Sequence, residues 1–76
     1  MIDRLPVITA RQLVKALERG GFAVQRQKGS HITMRHPVTR FTTVVPMHTG
    51  DMKRPLLKMI LKQANLNDED LRALLQ

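Results

Sequence analysis

Phe22-Ala23-Val24-Gln25-Arg26-Gln27-Lys28-Gly29-Ser30-His31-Ile32-Thr33-Met34-Arg35-His36 is the stretch that decides the fold. Two runs of alternating polarity flank a polar turn. In the first run Phe22 and Val24 fall on one face, with Gln25 and Gln27 on the other. In the second, Ile32 and Met34 share one face, and His31, Thr33 and Arg35 share the other. Gly29 can take φ > 0, so the backbone can turn sharply there and expose its N–H groups. The pattern predicts two antiparallel strands joined by a hairpin turn, and Pro37 ends the second strand.

Outward from the hairpin, residues 40–45 are rich in Thr, Val and Phe and predict a third strand. Its facing stays open at this level, because Phe41/Thr43/Val45 and Thr42/Val44 are both reasonable inward sets. Before the hairpin, Thr9 and Gln12 form a capping box for a helix over residues 10–19. Ile8 can staple onto Leu13, and Gly20 or Gly21 ends the helix. After the third strand comes a loop, Pro46-Met47-His48-Thr49-Gly50-Asp51. Pro55 suits the first position of a second helix, along which Leu56, Leu57, Ile60, Leu61 and Ala64 make one apolar stripe. Asn65 can take the left-handed position that ends it. Asn67 caps a short last helix whose start carries Asp68, Glu69 and Asp70. The predicted class is α+β: α-β-β-β-α with a short C-terminal helix, a three-stranded antiparallel sheet and helices on one face. This is also the element order of the double-stranded-RNA-binding domain.

Seventy-six residues predict a single domain over 1–76. A chain this short buries only about 60% of its unfolded surface, which leaves little material for a deep pocket. It has no Cys, so it has neither a disulfide framework nor a thiolate zinc site. No apolar run approaches the roughly 20 residues of a membrane span, and residues 1–6 do not read as a signal peptide. The expected location is cytoplasmic, with no membrane partner.

The net charge of +7 is uneven. Residues 25–62 hold Arg26, Lys28, Arg35, Arg40, Lys53, Arg54, Lys58 and Lys62 against Asp51 alone. Residues 63–76 are net acidic. A basic middle segment favours a polyanion or an acidic protein as partner. Gln27-Lys28-Gly29-Ser30-His31 lies inside it. An anion beside that turn would meet backbone donors, the Ser30 hydroxyl and the Lys28 ammonium together. His31 would stand next to it with a side chain that exchanges protons near neutral pH. That is the minimum equipment for splitting RNA at a phosphate. The same residues also make an ordinary polar hairpin turn.

The chain resembles the HicA toxins, the small ribonucleases of HicA–HicB toxin–antitoxin pairs. The resemblance runs through Thr9-Ala10-Arg11-Gln12-Leu13, Leu17-Glu18-Arg19-Gly20-Gly21-Phe22 and Arg26-Gln27-Lys28-Gly29-Ser30-His31. It continues in Thr43-Val44-Val45-Pro46-Met47-His48 and Leu57-Lys58-Met59-Ile60-Leu61-Lys62-Gln63-Ala64-Asn65-Leu66. It implies a double-stranded-RNA-binding-like fold, mRNA cleavage, a HicB-type acidic antitoxin as partner, and a catalytic role for His31. The family often has a second His after the first, where Ile32 stands here. It often has Gly where Pro55 and Asn65 stand.

The resulting expectation is metal-independent cleavage needing no cofactor. His31 would act as general base or acid. Lys28 and the N–H groups of Gly29 and Ser30 would hold the phosphate. Lys53, Arg54, Lys58 and Lys62 would hold flanking phosphates, and His48 is the candidate for a second proton-transfer group. His36 reads as a surface residue. A metal site built from His31, His36, His48 and Asp51 has no helical His pair to support it. The other class of reading is a non-catalytic module that binds RNA or an acidic protein by shape and charge.

Overall fold

The computed structural model describes residues 5–76, so the reading of the first four residues lies outside the described part. The elements are α1 (Ala10–Arg19), β1 (Ala23–Lys28), β2 (His31–Arg35), β3 (Thr42–Pro46), α2 (Arg54–Gln63) and α3 (Asp68–Leu74). The sheet is an antiparallel meander in the order β1-β2-β3. This is the α-β-β-β-α layout with an appended helix that the residue pattern predicts.

Local chemistry sets the helix bounds. The Thr9 hydroxyl accepts from the Gln12 N–H, and the Gln12 side chain accepts from the Thr9 N–H at 2.9 Å. Two of the four free N–H groups at the start of α1 are thereby satisfied. Asn67 and Asp70 do the same for α3. Asn65 takes φ +60 just after α2 and lets the chain reverse. Pro55 is the second residue of α2 rather than the first, a position that still needs no N–H.

β1 departs from strict alternation. Ala23 and Val24 pair with Arg35 and Met34, but Arg26, Gln27 and Lys28 pair with Thr33, Ile32 and His31. Gln25 is an extra residue with no partner, a β-bulge. Directly opposed residues share a face, so Val24 lies on the helix side of the sheet with Met34, although on this edge strand it stays 46% exposed. Past the bulge the parity reverses. Gln27 joins Ile32 on the core side, and Arg26 and Lys28 join Thr33 and His31 on the other. The expected common facing of Gln25 and Gln27 is thus corrected: one inserted residue flips everything after it.

β3 resolves its open facing through register. Val45 lies opposite Ile32 and Thr43 opposite Met34, and both are buried. Thr42 and Val44 point outward. Thr43 is a polar residue inside, and its hydroxyl donates to Gln63 Oε1 at 2.7 Å. The core joins Ile32, Met34 and Val45 of the sheet to Leu13, Ala16 and Leu17 of α1, Leu57, Ile60 and Leu61 of α2, and Leu71 of α3. All three helices therefore cover one face of the sheet. The other face is bare.

His36 is half-buried, which corrects its reading as a surface residue. Its Nδ1 accepts from the N–H groups of Val38 and Thr39 at 3.1 and 3.2 Å, holding the β2–β3 turn. Its ring meets Phe22 edge-on, with centroids 5.3 Å apart.

Candidate active site

The hairpin turn places the imidazole. Gly29 has φ +57 and Ser30 stays out of the left-handed region, the pattern of a two-residue II′ turn. Lys28 and His31 close the turn as a directly opposed pair. Opposed Cβ atoms in such pairs lie about 5 Å apart, so the Lys28 and His31 side chains rise side by side. On the other flank His31 is opposite Pro46. His31 is exposed and belongs to none of the core contacts, and its side chain makes no hydrogen bond among the described residues. Ile32, where the family often has a second His, is buried, so that position faces away from His31.

Ser30 uses its carbonyl to accept from the Met47 N–H, tying the turn to the strand that leads out of β3. The N–H groups of Gly29 and Ser30, in the exposed turn, have no acceptor among the described residues. A Cβ on Gly29 would have no atom within 4 Å, so glycine is required there for φ alone. Gly29→Ala is therefore expected to cost about 1 kcal/mol, or about 4–8 °C in melting temperature. Thermal unfolding measures it, and an unchanged Tm would mean the turn tolerates another conformation.

The bare face carries Arg26 and Lys28 from β1, His31, Thr33 and Arg35 from β2, and Thr42, Val44 and Pro46 from β3. Among the described residues no Asp or Glu lies on it, and Arg26, Lys28 and Arg35 make no ion pair. Reading the sequence placed Arg35 on the face of His31 but gave neither it nor Arg26 a role in the site. The bulge puts Arg26 there, and no local pattern signals a bulge at Gln25.

The other expected phosphate-holding residues divide. Lys53 precedes α2 and Arg54 begins it, and Lys53 lines a cleft with Pro46, His48 and Leu56. They stand at the His31 end of the sheet. Lys58 and Lys62 lie on the outward side of α2, in the helix layer, away from the bare face. Lys58 pairs with Asp68 at 3.4 Å. His48 follows Pro46 by two residues and is exposed. It fronts clefts lined by Thr9, Arg11 and Gly50, beside the start of α1. Among the described residues no three His, Asp or Glu side chains come together as a metal site.

Helices on one side of a small sheet, and a cationic, acid-free face with an imidazole on the other, define an α+β domain suited to meeting an anion. The family model for the HicA toxin of bacterial toxin–antitoxin systems matches residues 10–66, three quarters of the chain. The chain belongs to the HicA toxin family. That makes it a toxin of a ribonuclease family whose members are paired with an antitoxin. No curated protein matches the chain. No helix among the described residues is long and apolar enough to cross a membrane.

Proposed function

We propose that this protein is an mRNA endoribonuclease in which His31 performs the proton transfer and an acidic HicB-type antitoxin covers the bare face. The observation that carries the reading is His31 itself. Among the described residues its imidazole has no hydrogen-bond partner, and it stands beside an ammonium with no ion pair and two N–H groups with no acceptor, on a family member whose motif it completes.

The chemistry follows from the placement. His31 removes the proton from a ribose 2′-OH as that oxygen attacks the adjacent phosphorus. The bond from phosphorus to the 5′-oxygen breaks, leaving a 2′,3′-cyclic phosphate on one fragment. The departing 5′-oxygen takes a proton from the second imidazole of the reading, His48, or from water. Lys28 and the Gly29 and Ser30 N–H groups meet the charge that grows on the phosphoryl oxygens. Lys53 and Arg54 hold phosphates of the strand at the same end. In this reading residues 1–76 act as one domain, working in the cytoplasm without a cofactor.

Purified protein incubated with RNA, with and without EDTA, tests the activity. Cleavage that survives EDTA and leaves cyclic phosphate ends is the expected result. Cleavage abolished by EDTA would replace side-chain chemistry with a metal, and absence of cleavage would leave a binding module. Co-expression with a tagged product of the neighbouring reading frame tests the partner. The expected result is a stable complex in which cleavage stops, and a complex that still cleaves would remove the neutralising role.

A further inference from the structure

We propose that a single RNA strand lies along the bare face of the sheet, gripped by its sugar-phosphate backbone, with Arg26 and Arg35 holding the phosphates next to the one at His31. This rests on the ribonuclease reading and extends it to residues that reading does not use. Arg26 is opposite Thr33, and His31 and Arg35 lie two residues to either side of Thr33 on β2. Diagonal neighbours on one face of a sheet are about 7–8 Å apart. Arg35 is four residues along β2 from His31, about 13 Å at the rise of a strand. Lys28, His31, Arg26 and Arg35 thus form a zigzag along one face.

The zigzag is electrostatically unfavourable in the protein alone. Its cations lie within about 7–8 Å of one another diagonally, and among the described residues no acidic residue on this face offsets their repulsion. The Lys58 and Asp68 pair in the helix layer shows the contrasting arrangement, in which a cation has its partner. A bulge that re-aims cations onto a face without acids departs from local consistency, and such departures concentrate at functional sites.

The composition of the face indicates which part of RNA it meets. Surfaces that read single-stranded bases stack them on aromatic rings. The chain has no Trp or Tyr. Phe22 is buried, and Phe41, 40% exposed, stands outside β3 at the β2–β3 turn, the end of the sheet away from His31. What stands between the cations is the hydroxyls of Thr33 and Thr42 and the methyls of Val44. Guanidinium groups and hydroxyls suit phosphate and ribose. A nucleotide fixed in an A-form duplex keeps its 2′-OH out of line with the leaving oxygen, so the strand on this face is single.

The test uses the full chain carrying His31→Ala, so that RNA stays intact during binding. Affinity for fluorescent 12-nucleotide oligo-U, oligo-A and oligo-C is measured against salt. Adding Arg26→Ala and Arg35→Ala should weaken binding about tenfold and flatten the log–log salt slope by about 1.4, two released counterions on a single strand. Arg26→Lys with Arg35→Lys should keep the slope, which separates charge from folding. Lys58→Ala with Lys62→Ala should leave affinity and slope unchanged. The three oligonucleotides should bind within a few-fold of one another. An unchanged slope in the Arg26/Arg35 variant, a loss in the Lys58/Lys62 variant, or a strong preference for one base would each overturn the track. Failure of the track with cleavage by wild-type protein intact would leave the ribonuclease reading standing. Binding on the track without cleavage by wild type would remove the ribonuclease reading instead.

Discussion

Alanine at position 31 is expected to lower RNA cleavage by about 10²–10⁴-fold, the usual contribution of a positioned proton-transfer group. The fold should survive. His31 is exposed on the bare face and absent from the core, and its side chain makes no hydrogen bond among the described residues. Changes at such positions usually stay within about 0.5 kcal/mol, which is about 2–4 °C in a domain of this size. Lys28, Arg26 and Arg35 remain, so RNA affinity and its salt dependence should hold nearly constant. Binding of the antitoxin should persist, and growth arrest on expression should disappear. Melting temperature, RNA affinity and cleavage rate measured in one buffer decide the matter. Retained cleavage would reject His31 as the proton-transfer group. A Tm lowered by ten degrees or more would show that His31 supports the fold.

Gly21→Ala is expected to be the most destabilising single methyl addition in the chain. Gly21 has φ +96, where an L side chain is strained by about 1–2 kcal/mol. A Cβ there would also stand 2.6 Å from His36 Nε2. The ring cannot swing away freely, because its Nδ1 holds the Val38 and Thr39 N–H groups and its edge meets Phe22. Forcing atoms into a packed contact costs a further 1–3 kcal/mol or so. The sum, about 2–5 kcal/mol, is a large part of the roughly 4–11 kcal/mol expected of a chain this length. Thermal or denaturant unfolding should show a fall of at least about 10 °C. Gly29→Ala shares the backbone strain but meets open space, so the difference between the two variants reports the His36 contact. Equal losses in both would mean that the ring relaxes at little cost.

Features governed by neighbours in the chain were legible without any structure. The Thr9–Gln12 and Asn67 caps, a left-handed glycine at 20 or 21 (Gly21 in the structure), the left-handed Gly29 and Asn65, and the apolar stripe of α2 involve residues within a few positions of one another. Their energetics are local, so pattern and chemistry suffice. The alternation in β2 likewise placed His31 opposite Ile32 and Met34. The Lys-Gly-Ser-His turn and the family resemblance pointed to the same imidazole that the bare face presents.

What the tertiary structure alone decided depends on partners far along the chain. β3 could bury either of two sets, and pairing with Ile32 and Met34 selected Val45 and Thr43. Gln25 is unremarkable in sequence, yet Val24 pairs with Met34 while Lys28 pairs with His31 across the turn. Both pairings are met only if one residue is skipped, and the bulge that results carries Arg26 to the same face. The basic ridge of α2 is regular in sequence. The helix packs through Leu57, Ile60 and Leu61 on the far side of the sheet, so Lys58 and Lys62 point away from His31. A sequence lists its cations in order. Strand register and helix packing, both long-range, determine which of them share a face with the imidazole.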